Sequence, residues 1–142
     1  MPRRLVPLLM VAAMVVGLAA CKHPAGPYGW PTPDGWTWTT CPGWSVANPA
    51  DRTICVNDYA LRHDFEAAHE LAHAWDHTLG TYPLRTWVEG EQIAWCVAEL
   101  LTGHLSDEWI GGTYYSIRDE VQCPRAGQVW SDAQLMYMII VG

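Results

Sequence analysis

The 142-residue chain is acidic, with 8 Lys and Arg against 15 Asp and Glu, and a surface of that sign repels phosphate backbones and argues against a nucleic-acid partner. Its first twenty residues, "MPRRLVPLLMVAAMVVGLAA", combine two arginines, an apolar run and small residues, the pattern of an export leader rather than a fold element. Removing Arg3 and Arg4 with that leader takes the formal charge from −7 to −9, and the remaining residues suffice for one core and little more, so a single domain is expected.

In chain order, the leader at 1–20 ends in "LAAC", Leu18 to Cys21, which resembles a bacterial lipobox. That resemblance implies a lipid on Cys21, a membrane anchor through it, and a location on the outer side of the cytoplasmic membrane. The run from Leu5 to Ala20 is short for a bilayer span of about 20 residues. Residues 21–35 are dense in Pro, Gly and Trp and read as a tether, and 36–142 as the folded domain. "WTWTT" alternates as a strand does, and "RTICVNDYAL" reads as a strand leading into a turn. With a single phenylalanine in the chain, the nine tryptophans serve as bulky core fillers, with sugar stacking as the competing use.

A helix is then expected from about Asp64, as its N-cap, to Leu79, stopped by Gly80, with Ala67, Ala68, Leu71, Ala72, Ala74 and Trp75 forming a buried rod. A second helix should run from Thr86 or Val88 to Leu101, closed by Gly103, and "SDAQLMYMIIVG" should form a short terminal helix opened by a Ser/Asp cap. The fold class is therefore α+β, with a small N-terminal β-element on two central helices. Four cysteines remain beside Cys21, an even count in a chain bound for an oxidising compartment. Three pairings are open, and Cys41–Cys55 with Cys96–Cys123 is preferred because each closes a local segment, adding about 3 kcal/mol apiece in the chain-entropy model.

"HELAHAWDH", residues 69 to 77, carries the chemistry. His69 and His73 stand four apart, on one helical face, and can meet on a single ion. Glu70 points about 100° away, where it can reach a water on that ion and act as general base and acid. A catalytic zinc needs a third protein ligand and one open position. His77 does not supply it, because on a straight helix it sits about 12 Å from His69 along the axis and about 80° round from it. Asp76 is placed to orient a histidine from behind.

The next helix offers Glu89, Glu91 and Glu99 in "WVEGEQIAWCVAELL". Here the chain resembles the gluzincin metallopeptidases, whose third ligand is a glutamate on the following helix. "EQIAWCVAELL" is similar to the second-helix pattern of ImmA/IrrE-type small metallopeptidases and of bacterial neutral zinc peptidases. The resemblance covers roughly residues 52 to 103 and implies a minimal zincin-like domain with one Zn²⁺ on His69, His73 and Glu91. Glu89 remains the alternative ligand, and Glu99 reads as a helix-surface or salt-bridging residue. The pattern is broken at Trp95, where many such families carry an acid or amide that holds a histidine. Tyr114, Tyr115 and His104 are the candidate donors to a developing oxyanion.

The expected activity is zinc-dependent hydrolysis of peptide or protein substrates by a membrane-tethered, exported chain. The competing expectation is an inactive, metal-stabilised binding module of the cell envelope. The sequence leaves the oligomeric state open.

Overall fold

The computed structural model describes residues 23–57, 63–106 and 119–142. Cys21, the leader, Tyr114 and Tyr115 lie outside the described residues. Among the described residues the chain folds as an α+β domain: a three-stranded sheet and three helices. Strands β1 (Thr37–Cys41), β2 (Val46–Asn48) and β3 (Thr53–Asn57) are followed by α1 (His63–Leu79), α2 (Trp87–Thr102) and α3 (Gly127–Val141). Short 3-10 turns at Tyr82–Leu84 and Asp119–Val121 precede α2 and α3.

β3 is the central strand, in the order β1-β3-β2, parallel to β1 and antiparallel to β2. It is the strand with buried Ile54, Cys55 and Val56, as its β-branched centre requires. The three-residue β2 was not expected from the sequence. The β2–β3 connection turns through Asp51, whose carboxylate accepts from the Thr53 amide at 3.2 Å, and through Arg52 at φ 54°.

The alanine-rich face of α1 lets both the sheet and α2 approach closely, and Phe65, Leu71, Ile93 and Val97 meet in one core with Ile54. α2 starts at Thr86, which forms a reciprocal capping box with Glu89, and ends at Gly103, whose φ of 74° suits a residue without Cβ. The helix expected to end at Gly80 does so. Its first residue is His63, so Asp64 lies within the first turn rather than before it. The Ser/Asp cap expected for α3 is also displaced: the helix begins at Gly127, Ser131 donates to the Gly127 carbonyl at 3.1 Å, and Asp132 pairs with Arg85.

Both disulfides take the preferred pairing. Cys41–Cys55 joins β1 to β3, and Cys96–Cys123 ties α2 to the segment before α3. Beside the second, Glu99 is buried and accepts from the Ser106 amide and hydroxyl and from both ends of the Arg125 guanidinium. Glu99 is thus the salt-bridging residue expected, and it holds Arg125 at a φ of 49°, a conformation L-residues otherwise avoid.

The described part of the expected tether, 23–35, instead packs on the domain. Its prolines and aromatics have a surface to cover: the Trp75 indole donates to the Pro31 carbonyl at 3.0 Å, His23 meets the Trp75 ring edge-on at 5.0 Å, and Thr32 and Pro33 are buried. Trp36, Trp75 and Trp95 are the core fillers expected, whereas Trp44 and Trp87 are exposed at 56% and 59%. Among the described residues no helix is long and apolar enough to cross a membrane.

Candidate metal centre

α1 and α2 bring three donors to one point. His69 and His73 project from adjacent turns of α1, and Glu91 enters from the second turn of α2. The two Nε2 atoms are 3.1 Å apart, His69 Nε2 is 3.3 Å from Glu91 Oε2, and His73 Nε2 is 3.2 Å from Glu91 Oε1. Among the described residues this is the group of His, Cys, Asp and Glu that could hold a metal ion. Ligands about 2.0–2.1 Å from a tetrahedral zinc are separated by about 3.3 Å, and each of the three distances is near that value, with His69 and His73 facing different oxygens of the Glu91 carboxylate. Two imidazole Nε2 atoms aimed at each other are otherwise a poor arrangement, since both are good partners only if one is protonated.

Charge supports the same grouping. Burial would raise the Glu91 carboxyl, yet hydrogen bonds from His69 and His73 hold it far below the usual carboxylate range. Burial disfavours charge on His73, but the Glu91 hydrogen bond and the negative charges of Glu70, Glu91 and Asp76 raise it above its ordinary value. A site whose carboxylates favour positive charge at His73 in this way is suited to a cation.

Glu70 lies beside this face, buried, with Oε2 accepting from the Ala47 amide of β2 at 2.7 Å. One turn earlier, Glu66 is also buried and accepts from the Ser45 hydroxyl, which in turn accepts from the Asn57 amide at 2.8 Å. Burial raises the Glu66 carboxyl, with the Glu70 charge adding to that and the Ser45 hydrogen bond opposing it. Sequence reasoning passed over Ser45, Ala47 and Glu66. The one available signal was a pair of glutamates four apart on a rod otherwise made of small and apolar residues.

The remaining candidates separate. Glu89 is exposed and spent on the Thr86 cap, so it is no ligand. His77 stacks between Trp36 and Tyr82, at 6.5 and 4.0 Å, away from the three donors. Burial, then the charge of His73, lowers it below the usual histidine value. Asp76 does not stand behind a histidine: its buried carboxylate accepts from Thr81 and from Arg85 at 3.1 Å, and Arg85 reaches on to Asp132 at 2.8 Å. The turn after Gly80 brings Thr81 and Arg85 to it, and this closes the C-terminus of α1. His104 lies 3.5 Å from Asp64 in an exposed ion pair near the start of α1. Trp95, in the place of the absent acid, lies against His69 with ring centroids 4.1 Å apart and is backed by Phe65 at 5.4 Å. His69 Nδ1 is buried and has no hydrogen-bond partner among the described residues.

No protein-family model, curated protein or solved structure matches the chain.

Proposed function

We propose that this chain is a zinc-dependent peptidase of gluzincin type, with a zincin-like arrangement of α1 and α2, exported and held to the outer side of a membrane through lipid on Cys21. The observation that carries the reading is the convergence of His69, His73 and Glu91 at the edge lengths of a tetrahedral site, with a buried glutamate next in sequence to the first histidine. When bound, zinc supplies a Lewis acid that brings the pKa of water toward about 7. Glu70 takes a proton at one carboxylate oxygen while the Ala47 amide fixes the other, and it returns that proton to the leaving amine. His104 is the described candidate for steadying charge on the scissile carbonyl, once its pair with Asp64 opens.

The test is paired. Glu70→Gln should keep one zinc per chain and lose hydrolysis of a peptide library by at least about 100-fold, since a general base contributes 10²–10⁴. Glu91→Ala should lose the metal and His77→Ala should keep it, both read by elemental analysis. A Glu70→Gln protein as active as wild type, or zinc lost with His77 rather than Glu91, contradicts the proposal. Trp95 beside His69 favours a second reading, a metal-stabilised envelope module without turnover; zinc at full stoichiometry with no cleavage of any library peptide would select it.

A further inference from the structure

We infer that His77 is a substrate-positioning residue, whose imidazole hydrogen-bonds the main chain of an extended peptide about two residues from the bond cleaved at the metal. The inference rests on the peptidase reading of the proposed function. Helix phase keeps His77 out of the donor set, yet its surroundings hold it in one orientation. Its ring is near-parallel to two others, Tyr82 at 4.0 Å and 28° and Trp36 at 6.5 Å and 30°. Each of these is itself held. Trp36 is buried, and its indole donates to Thr78 Oγ1 at 2.9 Å, which in turn donates to the Ala74 carbonyl at 2.8 Å. Tyr82 opens the 3-10 turn, its carbonyl accepting from the Arg85 amide at 3.2 Å, and its Cε2 lies 3.9 Å from the place a Cβ on Gly90 would take. The imidazole plane is therefore set before any ligand arrives. Among the described residues no hydrogen bond reaches the ring nitrogens of His77, which leaves them for a ligand.

The stack borders the open side of the metal centre. His77 stands one turn beyond His73 on α1 and about 40° round from it, a spacing that puts the two Cβ atoms about 5–6 Å apart. Tyr82 packs on Gly90, the residue before Glu91. The side chains of His73 and Glu91 are 12% and 22% exposed, against 8% for His69, whose ring Trp95 covers. A peptide that reaches the ion from solvent thus arrives on the side of His73 and Glu91 and meets the stack there. Extended chain rises about 3.3 Å per residue, so 5–6 Å corresponds to about two residues.

The chemistry of the ring selects what it takes. A neutral imidazole offers one N–H donor and one nitrogen acceptor, and can therefore serve either the carbonyl or the amide of a peptide unit. Burial, then the His73 charge, lowers His77 below the ordinary histidine value, so the neutral ring is the form that meets substrate. A ring without charge reads main chain and is indifferent to the charge of side chains. The substrate class that follows is an extended peptide reaching at least two residues beyond the cleaved bond on the side of the stack.

The experiment uses the zinc-loaded full chain and a hexapeptide from the library that the wild type cleaves. His77→Phe keeps an aromatic plane in the stack and removes both nitrogens, whereas His77→Gln restores a donor and an acceptor. His77→Phe should hold one zinc, melt as wild type and raise KM about five-fold with kcat within two-fold, the loss of one net hydrogen bond from uniform binding. In the Glu70→Gln background it should weaken binding of the fluorescein-labelled hexapeptide by the same factor, read by anisotropy. His77→Gln should recover most of both, and trimming the peptide on one side to a single residue beyond the cleaved bond should remove the difference from wild type. Equal KM and equal binding for wild type and His77→Phe overturn the inference and leave the peptidase standing. So does a fall in kcat at unchanged KM, which would place His77 at the reacting carbonyl. Lost zinc or a lowered melting temperature in His77→Phe, with no recovery in His77→Gln, makes the stack structural and overturns it too. A zinc-loaded chain that neither cleaves nor binds any library peptide overturns the peptidase reading and the inference together.

Discussion

On its Nδ1 side His69 is backed by an aromatic plane rather than by an acceptor, since Trp95 covers its ring and Nδ1 meets no partner among the described residues. Outer groups that orient a ligand commonly change metal affinity 10–100-fold. Trp95→Ala is therefore expected to weaken zinc binding by about 10-fold, measured by competition with a chromophoric chelator, and to cost about 3–5 kcal/mol of stability. Trp95→Phe, which keeps the plane, should recover most of both. Asp76 belongs to a different circuit, the Arg85–Asp132 chain. Breaking a buried pair from one side costs about 3–5 kcal/mol, so Asp76→Ala should lower the melting temperature strongly while the zinc content of the folded protein stays at wild-type level. Zinc lost at an unchanged melting temperature would return Asp76 to the role expected from sequence. That expectation failed for a physical reason: helix phase brings Asp76 near His73, but the turn after Gly80 offers Thr81 and Arg85 to it first.

At the scale of elements, α1 grips the sheet through two carboxylates, Glu66 on Ser45 and Glu70 on the Ala47 amide. β2 is thereby fixed against the helix that carries His69 and His73, and so short a strand needs such a clasp. Glu66 gives the clasp a pH signature. Its native carboxyl is raised above the ordinary 4.5 chiefly by burial, so its charged form costs the fold. Below about pH 4.5 both native and unfolded forms are protonated and the cost is absent; above the raised native value it is present in full. Glu66→Gln should accordingly raise the melting temperature at pH 7 and leave it unchanged at pH 4, followed by circular dichroism. An equal gain at both pH values would show that the cost is not electrostatic. The helices were the legible elements. Thr86, Gly80 and Gly103 punctuate them with strong local preferences, and the apolar spacing between those marks is long. β2 carried no such mark, because three residues cannot display a period, and besides its pairing with β3 it is held by Glu70 of α1, far along the chain.

For the molecule as a whole, the small core is supplemented by two disulfides and, on the proposed reading, by an ion. A ligand at 1,000 times its dissociation constant adds about 4 kcal/mol. Chelator should thus lower the melting temperature by roughly 10–15 °C for a domain of this size, and an unchanged value would mean that the three donors hold no metal. The disulfide pairing and the two-histidine spacing were legible because both are local. The packing of 23–35 was not, since proline-rich segments look alike in sequence whether they drape over a tryptophan or extend into solvent. The donors themselves fall between residues 69 and 91, within one helical hairpin. Contacts so near in sequence close at little entropic cost and form early in folding. On the proposed reading, an ion held from His69 to Glu91 closes a separation of 22 residues (91 minus 69), longer than the 14 of Cys41–Cys55 and shorter than the 27 of Cys96–Cys123, so metal supply comes ahead of the second sulfur bridge alone.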